Sequence, residues 1–156
     1  MKISQHLDLW EVTKSDTAKR LGISNEPTPQ HLENFKKLAI NIFEPLRTHF
    51  GKPIFISSGY RSEALNKAIK GSSSSQHCKG EAIDIDMDGT KDGVTNTMVF
   101  NYIKDHLPFD QLIWEFGNAS NPDWVHVSYA ASGTQRKQVL KAVRGTDGST
   151  KYLAYS

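Results

Sequence analysis

Four side chains of this 156-residue chain have the types and spacing that metal-assisted hydrolysis needs. His77 is followed by Gly80 and, seven positions on, by Asp84, all within SQHCKGEAIDID at 75–86. Gly80 permits a tight turn, and Glu81–Met87 then reads as a strand. Period-two alternation places Ala82, Asp84 and Asp86 on one face and Ile83, Ile85 and Met87 on the other, the core face. Imidazole nitrogens and carboxylate oxygens are donors that zinc accepts. His126, midway along WVHVSY at 124–129, is the candidate third donor. Three protein ligands leave the fourth position of a tetrahedral zinc open for water, which separates catalytic from structural sites. The metal lowers the pKa of such a water to about 7. A nearby carboxylate can then take its proton. Asp123 is placed for this if the strand begins after the Asn121-Pro122 turn, because residues three apart on a regular strand point oppositely. Arg61 offers a planar fork of donors for a carbonyl oxygen gaining charge or for a substrate carboxylate. Asp84 and Asp86 share a face, and chemistry alone does not separate them.

The elements that must position these residues are legible as local patterns. Leu7–Lys14 and Ser15–Leu21 read as short helices, the second ended by Gly22. Thr28-Pro29 opens the longest helix with a capping hydroxyl and a proline at the first helical position. Leu32, Phe35, Ala39, Ile42 and Leu46 recur at helical spacing, Pro45 is expected to kink the helix, and Gly51 ends it. Pro53–Ser57 reads as a strand, Glu63–Lys70 as a short helix capped by Ser62, and the serine run before His77 as a mobile rim of the cleft. Thr95–Leu107 reads as a helix stopped by Pro108, and Asp110–Phe116 as a strand. Val139–Val143 and Tyr152–Tyr155 flank Asp147-Gly148, a hairpin signal. Short strands joined by tight turns favour an antiparallel sheet and the α+β class. One domain is expected over 1–156, with a core spanning 5–130 and a C-terminal hairpin tail at 137–156.

Composition narrows the partners. A net charge of +2 is too small for its field alone to argue for nucleic acid, and none is expected. The chain has no run of eighteen apolar residues, so membrane insertion is not expected. MKISQHLDLW has no apolar segment of a signal peptide. The expectation is a monomer made in the cytoplasm that reaches any extracellular substrate after release or by particle delivery. The single cysteine, Cys78, lacks the paired spacing of zinc-thiolate sites and reads as a small gap-filling residue. Trp124 shares the His126 face, where it either walls the cleft or simply packs. Glu115 and Gln111 either support the site or cap the sheet edge.

SGYRS at 58–62, SQHCKGEAID at 75–84 and DWVH at 123–126, in this order, resemble the zinc D-alanyl-D-alanine carboxypeptidase family. That family includes L-alanyl-D-glutamate endopeptidases of phage endolysins and shares its fold with the Hedgehog signalling domain. The resemblance covers residues from about 5 to about 130 and implies an antiparallel Hedgehog/DD-peptidase sheet with the ligands on its concave face. It implies that His77, Asp84 and His126 bind Zn2+, the seven-residue spacing selecting Asp84 over Asp86. It further implies that Asp123 is the general base and acid, where other members carry Glu. Arg61 would polarise the scissile carbonyl or hold substrate, and Ser75 would bond substrate or steady the ligand loop. The implied function is zinc-dependent hydrolysis of peptidoglycan stem peptides, as a D-Ala-D-Ala carboxypeptidase or an L-Ala-D-Glu endopeptidase. The alternative is a catalytically weak zinc-binding module of the same fold, as a component of a phage particle.

Overall fold

The computed structural model spans Met1–Ser156 and is α+β. A two-stranded ribbon, β1 (Lys2–Ser4) and β2 (Leu7–Asp8), opens the chain. The sequence pattern predicts helix from Leu7; the helix begins at Leu9, with Asp8 closing a capping box with Glu11. Helices α1 (Leu9–Thr13) and α2 (Asp16–Leu21) follow, the second capped by Ser15 and closed by Gly22 in the left-handed conformation.

Thr28 accepts from the His31 N–H to start α3 (Pro29–Leu38), and α4 (Glu44–Phe50) ends at Gly51. Between them Ala39–Phe43 is a π-helical stretch. Pro45 has no N–H to give, and its ring excludes the carbonyl four residues back. The wider π turn just ahead of it is where the helix accommodates that defect. The expected kink at Pro45 therefore takes the form of a change in helical winding. α5 (Glu63–Ala68) and α6 (Asn96–His106) complete the helices, capped by Ser62 and Thr95.

Six strands form the main sheet: β3 (Ile56–Ser58), β4 (Ala82–Ile85), β5 (Gln111–Glu115), β6 (Trp124–Ser128), β7 (Gln138–Arg144) and β8 (Thr150–Ala154). Their spatial order is β3-β4-β6-β5-β7-β8. All pairings are antiparallel except β5 with β7, which is parallel. The expectation of a wholly antiparallel sheet is thus corrected at one seam. β6 occupies one edge of β5, and residues 129–137 carry the chain across to the other edge, where β7 runs opposite to β6 and so along β5. Asp110 secures the crossing: it accepts from the Arg136 backbone N–H at 2.8 Å and from Arg136 Nη2 at 2.8 Å. Its backbone carbonyl accepts from the Gln138 N–H. The C-terminal hairpin is in this way an extension of the sheet.

Ile83, Ile85, Leu112, Trp114, Val125 and Val127 form the buried face of the sheet. They join Phe35, Leu38, Ile42, Phe43 and Leu46 beneath them, and Val99, Phe100 and Ile103 of α6, in one core cluster of 25 residues. The alternation that buries this face turns Asp84, His126 and Glu115 to the other. No helix is long and apolar enough to cross a membrane.

Candidate metal centre

His77, Asp84 and His126 come together on that outer face. Asp84 and His126 are direct cross-strand partners on β4 and β6. His77 reaches them from a 3-10 turn, Gln76–Lys79, which Ser75 caps by accepting from the His77 N–H. The turn closes at Gly80 with φ +74°, and a Cβ there would run into the His31 carbonyl. Glycine is therefore required on both counts. Gly59 is equally constrained: a Cβ would lie 2.6 Å from Val12 Cα, while its carbonyl is 2.6 Å from His77 Nδ1.

The three ligand atoms make a small triangle. His77 Nε2 is 3.3 Å from Asp84 Oδ1 and 3.3 Å from His126 Nδ1, and His126 Nδ1 is 3.0 Å from Asp84 Oδ1. Donors about 2.05 Å from a tetrahedral zinc stand roughly 3.3 Å apart, so the triangle has the edge lengths of a zinc face. The tautomer of His77 also fits. Its Nδ1–H donates to the Gly59 carbonyl, which leaves Nε2 as the ligating atom when a metal is bound. His77 and His126 are 1% and 8% exposed, so the set is withdrawn from bulk solvent. Burial alone would raise the Asp84 carboxyl. The imidazoles of His77 and His126 outweigh it and hold Asp84 well below the usual carboxylate range.

Arg61 and Ser75 flank His77. The Arg61 N–H donates to the His77 carbonyl at 3.2 Å, and Arg61 Nη2 donates to Ser75 Oγ at 3.4 Å. The loop bearing Arg61 is held by Asn25, which accepts from the Ser62 N–H and donates to the Thr13 and Tyr60 carbonyls. Trp124 heads β6 on the same face as His126. Asp123 sits just before β6 in the exposed turn, its N–H bonded to the Glu115 carbonyl. It lines a cleft of about 680 Å³ with Phe116, Trp124, Ala142 and Arg144, among others. Cys78 follows the first ligand without joining the triad, and burial pushes its thiol up.

Glu115 carries more of the site than its sequence context suggests. It pairs with Trp124 across β5 and β6 and is only 7% exposed. Burial pushes its carboxyl up to about 7; Asp84 adds to the rise, and the positive charge of His126 and Arg61 opposes it. Three residues around it hold buried nitrogens with no hydrogen-bond partner: Arg61 Nε, Trp124 Nε1 and His126 Nε2. Strand alternation places Glu115 on the site face, but only the β5–β6 register sets it beside His126.

Asn96, absent from the sequence reading, ties the site's two halves. This fully buried side chain accepts from the Met87 N–H after β4 and donates to Asp86 Oδ1 and to the Pro122 and Asp123 carbonyls before β6. Asp86 is thus a support, outside the ligand triangle. No sequence period marks a buried asparagine at the second position of a helix cap. Asn96→Ala strands these groups and is expected to lower unfolding free energy by about 2 kcal/mol, read by urea denaturation. An unchanged midpoint would show that the network is dispensable.

Two imidazoles and one carboxylate, with an arginine beside them on an open sheet face, define a metallopeptidase-type centre. A family model described as Peptidase M15 matches residues 5–128, and the chain belongs to that family of zinc peptidases related to D-Ala-D-Ala carboxypeptidases. No curated protein matches the chain.

Proposed function

We propose that the protein is a single-domain zinc peptidase of the Hedgehog/DD-peptidase type that hydrolyses an amide bond in bacterial cell-wall stem peptides. The triangle of His77 Nε2, Asp84 Oδ1 and His126 Nδ1, with edges of 3.0–3.3 Å, is the observation that carries this reading. Family membership supports it. When bound there, zinc supplies Lewis acidity toward the scissile carbonyl and lowers the pKa of a water.

The chain's own groups do the rest. Asp123, exposed at the cleft mouth, takes the proton from the attacking water and delivers it to the leaving amine. Arg61, anchored to His77 and Ser75, offers its guanidinium to the carbonyl oxygen as charge develops or to a substrate carboxylate. Ser75 Oγ steadies the ligand turn and stands within reach of substrate, and Trp124 walls the cleft. The bond cleaved is of the D-Ala-D-Ala or L-Ala-D-Glu type, and the protein acts as a monomer on wall exposed after release or particle delivery.

Zinc-loaded protein is expected to release D-alanine or new amino termini from purified wall peptides, read by mass spectrometry. Asp123→Asn should lower the rate about 100-fold at unchanged zinc content. No product from the zinc-loaded protein would refute the assignment and leave the alternative of a zinc-binding module.

A further inference from the structure

The cleft that Asp123 and Trp124 line adjoins the triangle through Trp124, which shares the His126 face of β6, and it is completed by a segment that follows the family match. That match ends at residue 128, whereas β7 and β8 span Gln138–Arg144 and Thr150–Ala154. Register carries one row of side chains across the outer face: Trp124 opposite Glu115, Glu115 opposite Ala142, and Ala142 opposite Tyr152. Adjacent strands lie about 4.8 Å apart, so the Tyr152 backbone is roughly 10 Å from that of Glu115. Ala142 between them bears only a methyl group. A phenol on β8 is long enough to lean over it toward the site. Tyr152 is 55% exposed; its partial burial raises the phenol, the charges of Glu115 and Asp84 add to the rise, and Arg61 opposes it.

Arg144 brings a cation to the same wall. It lines the 680 Å³ cleft, and its guanidinium carbon lies 4.6 Å over the centre of the Phe116 ring. That ring is 5.4 Å from Trp124. Stacking of this kind holds a guanidinium in place without using its N–H groups. No acidic side chain pairs with Arg144, although every ion pair of the chain is a short one, between 2.7 and 3.3 Å. An arginine fixed by its face, with its donors free, suits a carboxylate.

We infer that the C-terminal hairpin forms the specificity wall of the cleft, with Arg144 binding a free carboxylate of the substrate peptide and Tyr152 packing on its backbone. The inference rests on the peptidase reading and adds a substrate class: stem peptides that keep an ionised carboxylate on the part lying along β7, in preference to their amidated counterparts.

The test compares two synthetic stem peptides that differ only in whether the D-glutamyl α-carboxyl is free or amidated. For the zinc-loaded parent, kcat/KM should favour the free acid by about tenfold. Arg144→Gln should erase most of that preference through KM. Tyr152→Phe and Tyr152→Ala should lower kcat/KM for both peptides, the alanine variant by about tenfold or more. Zinc content should be unchanged in all variants. Cleavage with no acid preference, or a preference surviving in Arg144→Gln, overturns the inference and leaves the peptidase reading intact. Binding is read in parallel by fluorine NMR of protein carrying 3-fluorotyrosine, with Tyr152→Phe assigning the resonance. If no turnover is found, the peptidase reading fails, and the Tyr152 signal still decides this one. A signal that moves with the free-acid peptide supports the wall, and a signal that does not move overturns it.

Discussion

Asp84→Asn is expected to lower zinc affinity on the order of 1000-fold and, with it, to remove the proposed peptidase activity. The substitution keeps the shape of the side chain and removes its charge. Asp84 is the sole anion of the triangle, within 3.0–3.3 Å of both imidazoles. A dication held by two neutral nitrogens and an amide loses its main Coulombic partner in a site that solvent barely reaches. Folding should survive, because the β4–β6 pairing at Asp84 and His126 is a backbone register that the amide does not disturb. Three readouts separate these effects. Zinc content after gel filtration should fall from one per chain to near zero. The parent with zinc at 1000 times its Kd should gain about 4 kcal/mol, which raises Tm by roughly 10 °C in a domain of this size, whereas the variant should gain little. Activity should follow zinc content. A variant that binds zinc as the parent does would remove Asp84 from the ligand set.

The reason so much of this centre was legible is that its parts are local. The tight turn at Gly80, the alternation through Asp84 and the strand around His126 each declare themselves within a few residues, and the family spacing joins them. Arg61 is similar, since Ser62 caps the helix that follows it. What local pattern does not encode is which edge a strand docks against. The docking of β7 beside β5 lies in a crossing secured by Arg136 and Asp110, which are 26 residues apart, and no turn signal announces it. The same blindness hides the consequences of register. Glu115 can be placed on the outer face from alternation alone. Its position beside His126, and that of Tyr152 two strands further on, follow only from the pairings. Asn96 escapes for a different reason. Its four partners lie at both ends of the site, and a buried asparagine at a helix start resembles any other polar first-turn residue until they are in place.

Glu115 gives the second large effect, and its sign can be worked out. Burial raises its carboxyl from the usual 4.5 to about 7. Between those values the folded, metal-free protein holds a proton that the unfolded chain has released. The native state then binds more protons than the unfolded one, so stability falls as pH rises through the window. The full loss is on the order of 3 kcal/mol, from 4.5 to about 7 at 1.36 kcal/mol per pH unit. Glu115→Gln carries no titrating group there. Urea denaturation of the metal-free proteins from pH 4.5 to 8 should show the parent losing stability relative to the variant, most steeply below pH 7. Parallel curves would mean that Glu115 is ionised at its ordinary value. Zinc should reverse the parent's behaviour, since a dication at the ligand triangle favours the ionised carboxylate beside it. Near pH 6 the parent should therefore release about one more proton on binding zinc than Glu115→Gln does, measured by calorimetry in buffers of different ionisation enthalpy. The expected outcome is a Glu115 carboxyl protonated below about pH 7 in the metal-free protein and ionised once zinc is bound.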